Sequence, residues 1–294
     1  MATFPEKLSD FQRAFQKTGL TANLITQFRG CIYQYYEVHG RDLPWRRTRD
    51  AYAILVSEIM LQQTQVERVL APYGRFLQHF PNFQELAQAS LGEILAIWQG
   101  LGYNRRAQAL QRIAQQVLRS HGGQLPANRA SLERLPGIGA ATAGALLAFA
   151  YEQPVVFLET NIRRVYLHFF YPEGEAVTDK MLLPLIFLTL DAQRVRVWYY
   201  ALMDYGAMLK GKVANPNRRS AHYSRQTPFR GSNRELRSRI MRLFLSQPEL
   251  SEAAIVADLT DDRTPRVLQD LVRENFLRQQ DSMYRLATGK EQWG

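Results

Sequence analysis

The chain has 294 residues, of which 46% are hydrophobic and 22% are charged, so it is long enough to bury a core and has a globular composition. Lys and Arg number 37 against 27 Asp and Glu, and the net charge of +10 favours an anionic partner, nucleic acid before a membrane. No apolar run approaches the roughly 18 residues of a membrane span, and the N-terminus lacks the apolar stretch of a signal peptide, so we expect a cytoplasmic protein.

Metal and disulfide chemistry have little support in the sequence. Cys31 is the single cysteine, which excludes an intrachain disulfide and a cysteine-ligated cluster. The five histidines lack the spacing of metal ligands, which argues against a zinc site.

Apolar residues recur at helical spacing from about residue 8 to residue 210, which predicts a mostly α-helical fold. Asp50 is a candidate N-cap for one of these helices, whose apolar stripe includes Tyr52, Leu55 and Ile59. Glu58 borders that stripe. A carboxylic acid in partly apolar surroundings has a raised pKa and can donate a proton near neutral pH.

Residues 135–144 (LPGIGAATAG) predict a hairpin between two helices. Pro136, Gly137 and Gly139 permit a tight turn, which leaves unpaired backbone N–H groups at the positive start of the second helix. Such a terminus binds phosphate without reading sequence. An ordinary helix–helix turn would have the same composition, so the assignment needs support from elsewhere in the chain.

A second acid, Glu159, follows the apolar run of residues 155–158 and precedes a helix that we expect to begin near Asn161. A carboxylate near a helix N-terminus tends to stay ionised. Glu58 would then donate a proton while Glu159 stabilises positive charge. This division suits cleavage of a glycosidic bond, whose transition state has oxocarbenium character.

Three regions are expected along the chain. Residues 1–210 would form a helical domain, and residues 233–294 a second domain. Between them, the apolar pattern lapses over residues 211–232 into a basic stretch, which predicts a linker or loop.

The C-terminal region has the pattern of a small winged-helix-like domain. Ser251 is a candidate N-cap, Thr264 and Pro265 can open another helix, and residues 276–286 predict two short strands around an Asp-Ser turn. Such a domain could bind DNA, or it could serve as a packing or dimer module.

Four segments between Arg41 and Met208 resemble one family. They are residues 41–46 (RDLPWR), 56–66 (VSEIMLQQTQV), 98–103 (WQGLGY), and 135–139 (LPGIG) followed by 159–161 (ETN). In this order they resemble the helix-hairpin-helix DNA glycosylases, and within them the MutY-type adenine glycosylases. The resemblance implies a mainly α, two-lobed helical HhH-GPD fold, here with the C-terminal winged-helix-like domain. It implies double-stranded DNA with a damaged or mispaired base as the partner.

The resemblance also implies roles for individual residues. Glu58 would be the general acid that protonates the flipped base, Glu159 would occupy the position of the carboxylate that stabilises the sugar cation, and Asn161 would support it. The residues expected to line the base pocket are Arg41, Trp45, Arg46 and Asp204. The resemblance places Gln63, Thr64, Leu101 and Tyr103 in a wedge that enters the duplex, contacts the opposite base and fills the gap left by the flipped nucleotide. The other residues expected to bind DNA are Gln62, Gly137, Ile138, Gly139, Arg218 and Arg219.

Three departures from the family pattern stand out. Glu159 replaces the usual aspartate and could push the carboxylate forward by about 1 Å. Ala141 replaces the lysine nucleophile of lyase-competent relatives such as endonuclease III, so no Schiff base can form there. The four cysteines of the family's iron–sulfur cluster are replaced by residues 210–219, so no cluster is expected. Whether a monovalent cation binds at the hairpin is left open by the sequence.

The leading hypothesis is a monofunctional, metal-free DNA glycosylase that removes adenine from a mispair, acting as a monomer associated with the nucleoid. A second hypothesis keeps the fold and changes the base to uracil, thymine or hypoxanthine, since Glu159 and Ala141 remodel the pocket. A third is a non-catalytic DNA-binding or damage-sensing protein, in which Glu159 marks decay of the site. The C-terminal region shows no clear counterpart to the domain that checks an opposite 8-oxoguanine, so the opposite base stays open.

Overall fold

The computed structural model describes residues 4–174, 176–224 and 228–287, without the side chains of residues 4–7. Helices dominate these residues, as predicted. In chain order they are α1 (Phe4–Thr18), α2 (Ala22–His39), α3 (Ala51–Leu61), α4 (Val66–His79), α5 (Phe83–Gln88), α6 (Leu91–Trp98), α7 (Arg105–Ser120), α8 (Arg129–Glu133), α9 (Ala140–Ala150), α10 (Thr160–Phe170), α11 (Asp179–Thr189), α12 (Val195–Lys212), α13 (Asn233–Ser246), α14 (Glu252–Leu259) and α15 (Thr264–Arg273). None of the described helices combines the length and apolar content needed to span a bilayer.

Contacts divide the chain into two units, and neither is continuous in sequence. The first consists of Met1–Ile54, Ala127–Arg134 and Ile138–Arg225. Its core is built from α2, α10 and α12, which meet through aromatic rings. The fully buried ring of Phe28 makes edge-to-face contacts with Tyr166 and Trp198, at centroid distances of 5.4 and 5.8 Å.

The second unit consists of Leu55–Pro126, Leu135–Gly137 and Gln226–Gly294. Its helices α4 to α7 surround fully buried apolar side chains such as Phe76 and Val117. Its C-terminal part contains α13 to α15 and the strands β1 (Glu249–Ser251), β2 (Leu277–Gln280) and β3 (Met283–Leu286).

The small sheet contains the predicted hairpin of residues 276–286 and one further strand. The strand order is β1-β3-β2, and both pairs are antiparallel, with Leu250 opposite Tyr284 and Arg278 opposite Arg285. The hairpin of β2 and β3 turns at Asp281, as predicted. Strand β1 was not predicted, because three residues before a helix cap are too few to show strand alternation.

The segment predicted as a basic linker is structured in its first half. Helix α12 continues through Lys212, and a short 3₁₀ helix follows at Pro216–Arg219. The buried Asn217 donates from Nδ2 to the Thr160 carbonyl oxygen at 3.2 Å, so this segment packs against the start of α10. Each of the three predicted regions includes residues that lie outside the described part of the chain, namely residues 1–3, 175, 225–227 and 288–294.

Candidate functional site

Helix α3 carries a single acidic side chain, Glu58. The helix begins where predicted, since Asp50 accepts from the backbone N–H groups of Tyr52 at 3.1 Å and Ala53 at 3.2 Å. Glu58 is half-buried, and Leu55, one turn earlier, is fully buried. The carboxyl group therefore lies at the border of an apolar stripe, which is the placement that a proton donor needs.

A buried arginine that the sequence interpretation missed holds the predicted wedge segments in place. Arg106 is 8% exposed and lies in the first turn of α7. Its guanidinium donates six hydrogen bonds, to the carbonyl oxygens of Ile59 (3.0 Å), Met60 (2.7 Å), Gln62 (2.6 Å), Leu101 (3.1 Å) and Gly102 (3.0 Å) and to Oγ1 of Thr64 (3.0 Å). The end of α3 and the loop between α6 and α7 are thus bound to one side chain.

Burial lowers the pKa of Arg106 to about 10, with Tyr103 opposing this shift and Arg68 adding to it. The guanidinium stays charged at neutral pH, where the carbonyl groups at the end of α3 favour a cation. A basic residue at the start of a helix gives no local signal of burial, which is why spacing alone did not identify it.

Two wedge residues adopt backbone conformations that non-glycine residues seldom use. Gln63 has φ 54° and Tyr103 has φ 50°. The Tyr103 ring centroid lies 5.4 Å from the Arg106 guanidinium carbon. Gln63 is exposed, whereas Leu101 is only 2% exposed, so the structure presents the first to solvent and packs the second inside the unit.

The hairpin has the predicted backbone geometry. Gly137 has φ 78°, and a Cβ at this position would lie 3.2 Å from Cβ of Ala109. Gln62 donates from Nε2 to the Gly137 carbonyl oxygen at 3.2 Å. Ile138 is buried, and Gly139, the N-cap of α9, has no side chain to cover the first N–H groups of the helix. The hairpin therefore offers backbone N–H groups to an anion.

The predicted base-pocket residues Arg41, Arg46 and Asp204 form one ion cluster around the buried Asp204 carboxylate. The Asp204 side chain is 1% exposed, and its two oxygens accept from the Arg41 backbone N–H (2.8 Å), from Arg41 Nε (2.7 Å) and from both terminal nitrogens of Arg46 (2.8 and 2.7 Å). Trp45, between the two arginines in sequence, is 4% exposed. Burial alone would raise the pKa of Asp204, but the hydrogen bonds and charges of Arg46 and Arg41 outweigh it and hold the pKa below its usual value.

Replacing this carboxylate by an amide is expected to destabilise the first unit. Asp204→Asn leaves the Arg46 guanidinium, whose side chain is 7% exposed, without a counter-charge. The expected loss is about 3–5 kcal/mol at pH 7 in urea unfolding. Asp42→Asn is the matched control, because Asp42 pairs with Arg47 at the surface, where solvent screens the pair and its removal should leave stability nearly unchanged.

The same carboxylate gives the stability a pH dependence. Because the folded-state pKa of Asp204 is depressed, its contribution is present above the unfolded-state value of about 3.9 and is lost as pH falls through the folded-state pKa. The difference between wild type and Asp204→Asn should therefore shrink below about pH 4. A difference that stays constant from pH 7 to pH 3 would show that the charge of Asp204 does not stabilise the fold.

Glu159 is the N-cap of α10. Its Oε1 accepts from the backbone N–H groups of Asn161 (2.8 Å) and Ile162 (2.7 Å), and its Oε2 accepts from Asn161 Nδ2 (3.2 Å). Arg164 in turn donates to Asn161 Oδ1 at 2.8 Å and to the carbonyl oxygen of Gly206 on α12. A Cβ at Gly206 would lie 2.3 Å from the Asn161 carbonyl oxygen, so glycine allows α12 to pass this close to the cap.

Burial changes the pKa of the Glu159 carboxyl group, an effect that the sequence did not reveal. Burial raises its pKa, and the N–H groups of Asn161 and Ile162 and the charges of Arg164 and Arg163 only partly offset this. The helix N-terminus alone favours the ionised form, but the net shift is in the opposite direction.

The two arginines of the predicted linker differ in solvent exposure and in hydrogen bonding. Arg218 is exposed. Arg219 is half-buried and donates to the carbonyl oxygens of Pro172 (2.7 Å) and Leu167 (3.1 Å), so its guanidinium is engaged inside the first unit.

Comparison with known proteins shows which family the central part of the chain resembles. The model of the HhH-GPD superfamily base excision DNA repair protein matches residues 56–183, which include Glu58, the wedge segments, the hairpin and Glu159. Residues 56–183 of the chain are thus similar to the HhH-GPD superfamily. The predicted resemblance and the mainly α fold are thereby confirmed.

Individual members of the superfamily show similarity over about half of the chain. The chain is 43% identical to the adenine DNA glycosylase of Homo sapiens over 150 residues, which are 48% of this chain and 28% of that protein. It is 39% identical to the thymine/uracil-DNA glycosylase of Pyrobaculum aerophilum over 142 residues, 48% of this chain and 62% of that protein. A solved thermostable thymine-DNA glycosylase has a TM-score of 0.56 and 28% identity, covering 63% of this chain and 86% of its own. The chain thus spans less than two thirds of the length of these curated relatives.

Proposed function

We propose that the protein is a DNA N-glycosylase that removes a mispaired base from double-stranded DNA, with adenine as the base. The observation that carries the proposal is the segment of residues 56–66, in which a half-buried Glu58 on α3 is followed directly by wedge residues bound to Arg106. A base-flipping enzyme needs an acid to protonate the flipped base and a wedge to fill the gap in the duplex, and here the two lie next to each other in the chain. The 43% identity to an adenine DNA glycosylase supports adenine as the base.

The proposed chemistry divides between the two glutamates. Glu58 donates its proton to the flipped base, which leaves with the electron pair of its bond to the sugar. The sugar cation that remains is stabilised by ionised Glu159, whose charge is supported against the effect of burial on its pKa by the N–H groups of Asn161 and Ile162 and by Arg164 and Arg163. Water adds to the sugar carbon and releases a proton. Asn161 supports Glu159 through the 3.2 Å hydrogen bond from its side-chain amide.

We propose that this reaction proceeds without an iron–sulfur cluster and without lysine-dependent strand cleavage. Cys31 is the single cysteine of the sequence, so four thiolate ligands cannot be assembled. Burial raises the pKa of Cys31 to about 11, with a weaker opposing effect from its contact with Tyr205. Ala141, exposed in the first turn of α9, has no amine that could form a Schiff base.

A panel of duplexes tests the function. Adenine opposite guanine or 8-oxoguanine is the expected substrate, detected as strand breakage after alkali treatment, while the same reaction without alkali should leave the strand intact. No release of adenine would overturn the adenine assignment. Release of uracil, thymine or hypoxanthine instead would favour the second candidate, which the 39% identity to a thymine/uracil-DNA glycosylase supports.

Restoring the family's aspartate at position 159 is expected to slow base release. Glu159 reaches two backbone N–H groups and one side-chain amide with its full length. A side chain shorter by one methylene would withdraw the oxygens by about 1 Å, which can cost on the order of a hundredfold in rate. The measurement is the single-turnover rate of base release. Glu159→Asp shortens the side chain and keeps its charge, whereas Glu159→Gln keeps the length and removes the charge, so the two variants distinguish the effect of length from the effect of charge. A faster Glu159→Asp variant would mean that the longer side chain impairs the reaction.

Neutralising Arg218 is expected to weaken DNA binding at all sequences and to reduce the slope of log affinity against log salt by about 1. Arg219→Gln should instead lower stability, because its guanidinium serves two carbonyl groups. Anisotropy titrations with labelled duplex at several salt concentrations provide the measurement. An unchanged slope for Arg218→Gln would exclude a phosphate contact there.

A further inference from the structure

A cleft of about 730 Å³ lies within the second unit, between the loop that follows α6 and helix α13. Its volume falls in the range of roughly 300–1,000 Å³ that is typical of ligand sites. None of the described residues that line it is acidic, and six are arginines: Arg68, Arg105, Arg106, Arg234, Arg237 and Arg242. The cleft therefore favours an anionic occupant.

The winged-helix-like part contributes directly to one wall of this cleft. Arg234 on α13 donates to the Tyr103 hydroxyl at 2.5 Å, and its guanidinium carbon lies 5.5 Å from the Tyr103 ring centroid. Glu274, at the end of α15, accepts from Arg105 Nε at 2.9 Å and from Arg237 at 2.9 Å. These contacts hold α13 beside the predicted wedge residue.

Two side chains at the cleft provide what an unpaired nucleotide requires. The Phe229 ring is 54% exposed, unlike the buried aromatic rings of the core. Arg242 is exposed and makes no ion pair with any described residue, whereas Arg105 and Arg237 are neutralised by Glu274. An exposed ring stacks on a base whatever its identity, and a cation with no protein counter-charge can bind phosphate.

We propose that this cleft holds the DNA strand opposite the excised base, with an unpaired nucleotide stacked on Phe229 and a phosphate bound by Arg242. The proposal rests on the proposed glycosylase function and adds the C-terminal part to its DNA-binding surface. Helix α13 then serves as a DNA-binding element beside Tyr103 rather than as a packing module alone.

The test uses the full chain and a duplex in which 2-aminopurine stands opposite a tetrahydrofuran abasic-site analogue. Stacking on an aromatic ring quenches 2-aminopurine fluorescence, so wild type should quench it and Phe229→Ala should not. Phe229→Ala should also bind about five- to a hundredfold more weakly, the effect of losing one base–aromatic stack. Phe187→Ala, which truncates an aromatic ring that is 68% exposed on α11, is the matched control.

The phosphate contact is tested by charge removal. Arg242→Gln should reduce the salt slope of binding by about 1, while Arg266→Gln, an exposed arginine on α15 that does not line the cleft, should leave it unchanged. If wild type binds the duplex but both cleft variants behave like their controls, the cleft proposal is overturned and the glycosylase function stands. If wild type does not bind the duplex, both fail.

Discussion

A Glu58→Gln variant is expected to bind its substrate duplex almost as tightly as wild type and to release the base at least about a hundredfold more slowly. The amide keeps the size of the side chain but cannot donate a proton to the departing base. Glu58 is the one acid on α3 and lies half-buried at an apolar border, so no other carboxyl group of this helix can replace it.

Binding and chemistry must be measured separately for this variant. Anisotropy with labelled duplex gives the affinity, and single-turnover base release at saturating enzyme gives the rate. Glu67→Gln, which removes an exposed carboxylate in the first turn of α4, is the control and should change neither quantity more than about twofold. A Glu58→Gln rate equal to that of the control would remove Glu58 from the role of general acid.

Arg106→Met is expected to lower the free energy of unfolding by about 3–5 kcal/mol, because each buried acceptor left without a donor costs about 1–3 kcal/mol and part of this loss is recovered by relaxation. Methionine has a similar length but leaves five carbonyl oxygens and the Thr64 hydroxyl without the donor that now serves them. Urea unfolding at pH 7 provides the measurement.

A milder variant keeps this prediction testable if Arg106→Met does not fold. Arg106→Lys retains the charge but offers three donors without the planar fork, so an intermediate loss is expected. Arg112→Met removes an exposed arginine six residues later on the same helix and should change stability by less than about 1 kcal/mol. Equal stability of Arg106→Met and Arg112→Met would mean that the six hydrogen bonds contribute nothing net.

The amino-acid sequence by itself determined the mainly helical character of the chain, the starting points of α3 and α14, and the candidate acid. Asp50 and Ser251 cap α3 and α14 as predicted, because the N–H groups that an N-cap accepts from lie only two or three residues ahead. Glu58 could be placed at an apolar border from spacing alone, since helical geometry fixes which residues share a face.

Residues 211–219 show where the local sequence pattern no longer predicts the structure. Their polar, basic composition is typical of a loop, yet Asn217 and Arg219 anchor the segment through carbonyl oxygens of Thr160, Pro172 and Leu167. These acceptors lie 57, 47 and 52 residues away in the chain, so their presence could not be read from the neighbouring residues.

Only the tertiary structure decided where the buried charges are neutralised. Asp204 meets Arg41 and Arg46 across 163 and 158 residues of chain, and Arg106 meets the end of α3 across 46. Burial raised the Glu159 pKa although the helix N-terminus favours its charged form. Residue spacing encodes the faces of a helix, whereas the partner and the solvent exposure of a charged group depend on segments brought together by folding.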